Sequence, residues 1–173
     1  AELRMEEMAL DQMVKHAKRL LILDQLQDPG NLGTLLRTLD ATGEGGLILS
    51  SQSVDIYHPK TIRSTMGAIY RVPFVSRVEL KDIIKALQQQ GFTVWATTLT
   101  PESVTLFEAT FNQKEAFVIG NEGNGVSQEV IQLADHQLYI PMSGTAESLN
   151  AGVAGSIALY EHYRQSLYPS KHA

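Results

Sequence analysis

Short, unbroken apolar runs constrain this chain more than any other feature. They are "RLLILDQL" (19–26), "GGLILSS" (45–51), "RVPFV" (71–75), "FTVWATTL" (92–99), "EAFVIG" (115–120) and "HQLYIPM" (136–142). A strand with one wet face alternates apolar and polar residues. These runs do not, so both of their faces must be buried. Helical segments separate them: "DPGNLGTLLRTLDATG" (28–43), "HPKTIRSTMGA" (58–68), "ELKDIIKALQQQG" (79–91), "SQEVIQLA" (127–134) and "ESLNAGVAGSIALYEHYRQ" (147–165). The pattern predicts an α/β fold, a mostly parallel six-stranded sheet with helices on both faces. A chain of 173 residues is enough for one such domain.

Local signals mark the helix ends. Asp28-Pro29-Gly30 reads as a turn and Asn31 as an N-cap, with Leu32, Leu35, Leu36 and Leu39 at helical spacing and Gly43 as the stop. Pro59 suits a first helical turn, and Gly91 ends the amphipathic helix before it. Residues 1–20 read as a helix without an obvious apolar partner, either a linker from a longer protein or a docked N-terminal helix. Residues 21–173 then form the main domain.

Composition removes several functions. Cysteine is absent, which excludes disulfides and thiolate metal sites and suits a cytoplasmic protein. His16, His136, His162 and His172 have no metal-ligand spacing with acids, so no metal is assigned. No apolar run approaches the roughly 18 residues that a membrane helix needs. The net charge of −5 counts against broad, non-specific nucleic-acid binding. Charge is uneven, however: Lys60, Arg63, Arg71, Arg77, Lys81 and Lys85 stand against Asp55, Glu79 and Asp82. That stretch is either a local basic face or an ordinary solvated surface.

The run "FVIGNEGNGVS" (117–127) resembles a phosphate loop at first sight. Its glycines, Gly120, Gly123 and Gly125, lack the dinucleotide spacing, and they follow the fifth apolar run instead of the first. Val126 stands where a P-loop needs its lysine, and Glu122 would repel phosphate. A nicotinamide oxidoreductase and a kinase are thereby disfavoured. The loop is either a structural turn or a backbone cradle for a neutral or cationic ligand such as a sulfonium. Farther on, Ser148 and Asn150 fall in the first turn of the closing helix, where N–H groups are unpaired. Ala151, Gly152, Ala154, Gly155 and Ala158 suit close packing against another helix, in an ordinary buried setting or across a dimer.

Three segments, "NLGTLLRTLDATG" (31–43), "FVIGNEGNGVS" (117–127) and "IPMSGTAESLNAGVAGSIALYEH" (140–162), resemble the three motifs of the SpoU, or TrmH-like, RNA 2′-O-ribose methyltransferases of the SPOUT superfamily. "HPKTIRSTMGAIYRVPF" (58–74) is also similar to that family, so the likeness spans roughly residues 20–165. It implies a C-terminal deep trefoil knot holding S-adenosylmethionine in a bent shape. By position its walls would be Thr97, Thr98, Leu99, Ile119, Gly120, Asn121, Gly123, Gly125, Ile140, Met142 and Leu149. The family's functional residues fall on Asn31, Arg37, Glu122, Ser148 and Asn150, all present. The resemblance implies that Arg37 activates the ribose hydroxyl, or pairs with the neighbouring phosphate and orients that hydroxyl. It implies that Asn31 and Glu122 orient Arg37 or the cofactor. Without it, Asn31 reads as a helix cap and Arg37 as a surface residue. His58, Lys60, Arg63 and Arg71 are candidate RNA contacts. The implied partners are rRNA or tRNA and a second subunit, with the active site at the homodimer interface. The other reading is a non-catalytic RNA- or cofactor-binding module of the same fold.

Overall fold

The computed structural model describes residues 8–168. A seven-stranded sheet forms the middle layer: β1 (Arg19–Leu23), β2 (Gly45–Ser50), β3 (Phe74–Val78), β4 (Thr93–Thr97), β5 (Val104–Thr105), β6 (Glu115–Ile119) and β7 (His136–Tyr139). Every pairing is parallel, in the order β3-β2-β1-β6-β4-β7-β5. The helices are α1 (Leu10–His16), α2 (Pro29–Thr42), α3 (Pro59–Ser64), α4 (Leu80–Gln89), α5 (Gln128–Leu133) and α6 (Ala151–Leu167). The sheet thus has one strand more than the six predicted. β5 is two residues long on the sheet edge, and Val104 is exposed, so it carries no apolar run.

Alternation of side chains divides the core in two. In β1, Leu21 and Leu23 face a layer built from α2, α3 and α6, while Leu20 and Ile22 face α1, α4 and α5. All four are fully buried, each worth about 1.5–3 kcal/mol relative to exposure.

Several boundaries differ from the sequence reading. The closing helix begins at Ala151, so Asn150 is its cap and Ser148 lies in the preceding loop, not in the first turn. The cap of α2 is Asp28, whose carboxylate accepts the Asn31 N–H at 2.8 Å, so Asn31 lies inside the first turn. β3 begins at Phe74, because Arg71 and Val72 close a short 3-10 turn (Ala68–Tyr70) before Pro73. The first helix covers only Leu10–His16, and Arg19 and Leu20 already belong to β1. That helix has an apolar partner: Met13 and Val14 are buried, and Met13 fills the space left by Gly46, where a Cβ would lie 2.6 Å from Sδ. Residues 1–7 of the N-terminal segment fall outside the described residues.

At the N-terminal ends of the strands a polar chain, buried except at Asn112, ties sheet to helices. Arg19 is 1% exposed and donates to the carbonyls of Thr42, at 2.7 Å, and Gly43, the open end of α2. Its Nε donates to His162 Nδ1 at 3.3 Å, and His162 Nε2 lies 3.0 Å from the Asn112 carbonyl. The Asn112 N–H and the Trp95 indole N–H, the latter at 2.7 Å, both donate to Glu115.

Candidate active site

At the opposite ends of the strands, the chain leaving β6 meets itself. A Cβ on Gly120 would lie 2.0–2.3 Å from backbone atoms of Gly125 and Val126, so only glycine permits this crossing. Asn121 and Gly125 exchange backbone hydrogen bonds of 3.0 and 2.9 Å, closing a small ring, and Gly125 has φ 70°. Asn121 Oδ1 accepts the N–H groups of Gly123 and Asn124 at 2.9 and 3.1 Å, while its amide donates to the Gln25 carbonyl at 3.0 Å. The N–H groups at 121, 123, 124 and 125 are therefore engaged inside the loop. This deprives a phosphate of its donors and agrees with the motif argument against a P-loop.

Glu122 reaches from the ring to the start of α2. Its Oε1 accepts from the Asp28 N–H at 3.0 Å and the Asn31 amide at 3.1 Å, and its Oε2 accepts from the Gln27 N–H at 3.1 Å. Partial shielding alone would raise this carboxyl. The N–H groups of Asp28 and Gln27, its own N–H and the Asn31 amide outweigh that and hold it below the usual carboxylate range. Glycines on α6 let its N-terminus rest on the same place. A Cβ on Gly152 would lie 3.1 Å from Asn31 Oδ1, and one on Gly155 would lie 2.5 Å from Leu35. Gly152 and Gly155 of α6 thus serve a contact within this chain, the buried setting that was one of the two the sequence left open. Thr38 and Ser156 join α2 to α6 by a hydroxyl pair at 2.8 Å.

These elements enclose a cavity of about 440 Å³ at the carboxyl ends of β4, β6 and β7. That is where parallel α/β sheets hold ligands, and the volume suits a cofactor-sized one. All eleven residues proposed for the cofactor line it: Thr97, Thr98 and Leu99 after β4, then Ile119, Gly120, Asn121, Gly123 and Gly125 on the ring. Ile140, Met142 and Leu149 complete the set. Glu122, Ser148 and Asn150 line it too, and the Asn150 side chain caps α6 by accepting the Val153 N–H at 3.1 Å. Sequence reasoning missed Leu138, Tyr139, Glu147, Ala151 and Ala154. Adjacency to Ser148 was the available signal for Glu147. The lining holds two carboxylates, Glu122 and Glu147, and no lysine, arginine or histidine.

Arg37 stands apart. It is exposed on α2, six residues or about 9 Å along the helix from Asn31, on a different face, and it does not line the cavity. It makes no hydrogen bond or ion pair among the described residues. Asn31 and Glu122 bond to each other, not to Arg37.

The four candidate RNA contacts are all exposed: His58 caps α3, Lys60 and Arg63 lie on it, and Arg71 follows it. The His58 Nδ1 accepts the Lys60 N–H at 3.2 Å. Lys60 lies 4.0 Å from Asp28, and Arg71 grips Asp40 with two nitrogens at 2.7–3.1 Å. Arg63 has no ion-pair partner among the described residues. α3 is pressed on α2, since a Cβ on Gly33 would overlap Ser64.

Comparison with known proteins gives this geometry its context. The chain is 38% identical over 144 residues to the 23S rRNA (guanosine(2553)-2'-O)-methyltransferase RlmP of Bacillus subtilis, covering 83% of this chain and 57% of that protein. It is 36% identical over 151 residues to the 23S rRNA (uridine(2479)-2'-O)-methyltransferase of Streptomyces viridochromogenes, covering 85% and 53%. It therefore spans about half the length of these relatives. Its fold matches the SpoU methyltransferase AviRb from Streptomyces viridochromogenes, solved in complex with AdoMet. The TM-score is 0.81 at 32% identity, covering 92% of this chain and 62% of that one. The profile of the SpoU rRNA Methylase family matches residues 18–160, so the chain belongs to that family.

Proposed function

We propose that this chain is the catalytic domain of an S-adenosylmethionine-dependent methyltransferase acting on a ribose 2′-hydroxyl in structured rRNA or tRNA. The observation that carries the reading is the cavity: walled largely by backbone and apolar side chains, free of basic residues, and bordered by the ring whose N–H groups are already engaged. Such a lining suits a cationic sulfonium and disfavours a triphosphate. The residues present fit the cofactor, with the ring, the 97–99 segment and the 138–142 segment as walls. When bound, the cofactor supplies an electrophilic methyl group.

The chain's own residues then have separable tasks. Glu122 and Asn31 lock the ring to α2, and Asn150 fixes the start of α6, so the cavity keeps its shape without the ligand. Arg37 takes the phosphate next to the reacting ribose and orients the hydroxyl. A guanidinium is a poor proton acceptor and a good bidentate phosphate donor. Because Arg37 does not line the cavity of its own subunit, the reading includes a homodimer with the active site at the interface. Leu99, Met142, Val153 and Tyr160 support it, an exposed apolar set around the cavity and along α6 that a second copy would cover. The reading also includes the C-terminal trefoil knot, supported by the crossing at Gly120 and by β6 entering between β1 and the earlier-made β4. An RNA-binding domain joined through the N-terminal segment, and a cytoplasmic setting, belong to the same proposal. Among the described residues no helix is long and apolar enough to cross a membrane.

Calorimetric titration with S-adenosylmethionine, beside ATP and NAD, tests the reading. Saturable binding of S-adenosylmethionine alone is expected, followed by 2′-O-methylation of rRNA or tRNA. Cofactor binding without methyl transfer to any RNA would favour the non-catalytic module. Absence of binding by folded dimer would remove the cofactor assignment.

A further inference from the structure

The charges that line the cavity allow one more assignment. Of its two carboxylates, Glu122 has both oxygens committed, to the Gln27 and Asp28 N–H groups and the Asn31 amide. Glu147 is exposed, lines the same cavity and has no hydrogen-bond or ion-pair partner among the described residues. No lysine, arginine or histidine in the lining competes for it. Glu147 also sits three residues before Asn150, the cap of the 17-residue α6, whose first turn forms part of the same wall. There the Asn150 side chain takes the Val153 N–H, and the N–H groups of Ala151 and Gly152 carry no bond among the described residues. A carboxylate acceptor thus lies beside a helix N-terminus with free donors. That pair complements an α-amino acid: the ammonium goes to the carboxylate, and the carboxylate goes to the helix start.

Resting on the proposed function, we infer that Glu147 pairs with the α-ammonium group of the cofactor and is a specificity-determining residue for its amino-acid end. The adenosine end then lies toward the glycine ring, whose N–H groups are engaged within the loop. Glu147 contacts the ligand and takes no part in the transfer itself.

The test is titration calorimetry of wild-type protein and Glu147→Gln with three probes. S-adenosylmethionine and S-adenosylhomocysteine both carry the ammonium, and 5′-methylthioadenosine lacks it. The expected result is a loss of about tenfold in affinity for the first two, the size of one charge-assisted contact, with methylthioadenosine unchanged. Glu147→Asp should recover part of the loss. Weakening confined to S-adenosylmethionine would overturn the assignment in favour of the sulfonium. Equal weakening of all three would make the residue merely structural, and no change in any would also overturn it. Wild-type protein that binds none of the three defeats the functional reading itself, a result distinct from all of these.

Discussion

The two ends of the parallel strands handle polar groups in opposite ways. At the N-terminal ends, the buried Arg19, His162, Glu115 and Trp95 form one chain of hydrogen bonds linked through the backbone of the exposed Asn112. At the C-terminal ends, Glu122, Asn121 and Asn150 also bond inward, but they border a cavity in which Glu147 has no partner. Satisfied and buried polar groups hold a fold together; polar groups held rigid beside open space await a ligand. The difference teaches which end can absorb substitution by losing stability and which by losing function.

The sharpest way to break the contrast is Gly120→Ala. A Cβ there would lie 2.0 Å from backbone, and no rotamer change relieves it. Stability should fall by more than about 3 kcal/mol, and cofactor binding should vanish with it. Thermal melts and calorimetry check both, and a variant with wild-type melting would refute the crossing. Arg37→Ala should do the reverse. Methyl transfer to RNA should drop by about 100-fold or more, while melting and cofactor affinity stay level, because the residue is exposed and outside the cavity. Equal losses in cofactor affinity would count against its assigned place.

The buried end should reveal itself through pH. Burial pushes the Glu115 carboxyl up to about 7, against the opposing effect of the Asn112 and Trp95 N–H groups. Burial pulls His162 down to about 4, with the Asn112 carbonyl opposing and Arg19 adding to the fall. A carboxyl raised in the fold stabilises it fully below its unfolded value of 4.5, and that contribution is lost as pH rises through about 7. An imidazole lowered in the fold stabilises it above 6.5, and that contribution is lost as pH falls through about 4. Between about 4.5 and 6.5 the two slopes oppose one another. Glu115→Gln removes one of them. Whatever constant cost the amide brings, the stability difference should shift toward the variant by on the order of 3 kcal/mol between pH 4.5 and 8. Denaturant midpoints across that range measure it, and a pH-independent difference would refute it. Cofactor affinity at fixed pH should not change, which keeps the two ends apart.

The smallest effect belongs to the surface. Arg63→Ala should weaken RNA binding several-fold and flatten its salt dependence, leaving cofactor affinity untouched. Arg71→Ala should do less to RNA affinity, because its guanidinium is already held by Asp40. Filter binding at two salt concentrations separates the two, and an unchanged RNA affinity for Arg63→Ala would remove it from the interface.

Much of this was legible in the chain, for identifiable reasons. Uninterrupted apolar runs such as that of β1 announce burial on both faces, and the parallel sheet followed. The order of strands did not, because apolar runs of similar composition do not encode which neighbour they meet. The cap of α2 was misplaced although the clue was present. Pro29 occupies the first helical turn, which makes its predecessor Asp28 the cap. The small residues of α6 announced a close approach without saying to what, and Gly152 and Gly155 answer with Asn31, Leu35 and Ile119. The eleven cavity-lining positions proposed for the cofactor came from the motif resemblance, since backbone walls leave no trace in side-chain chemistry. Glu147 escaped notice because a lone carboxylate in a polar loop looks like any solvated residue until the cavity is seen.

The place of β1 at the middle of the sheet carries a consequence for how the chain comes into being. Its first neighbour, β2, follows soon after it, but its second, β6, is made only when synthesis has passed Ile119. Until then one side of "RLLIL" is an open sheet edge, apolar after Arg19, the kind of edge that recruits foreign strands. A nascent chain paused before β6 is therefore at its most aggregation-prone, and the late, long-range pairing makes folding slow for a protein of this size.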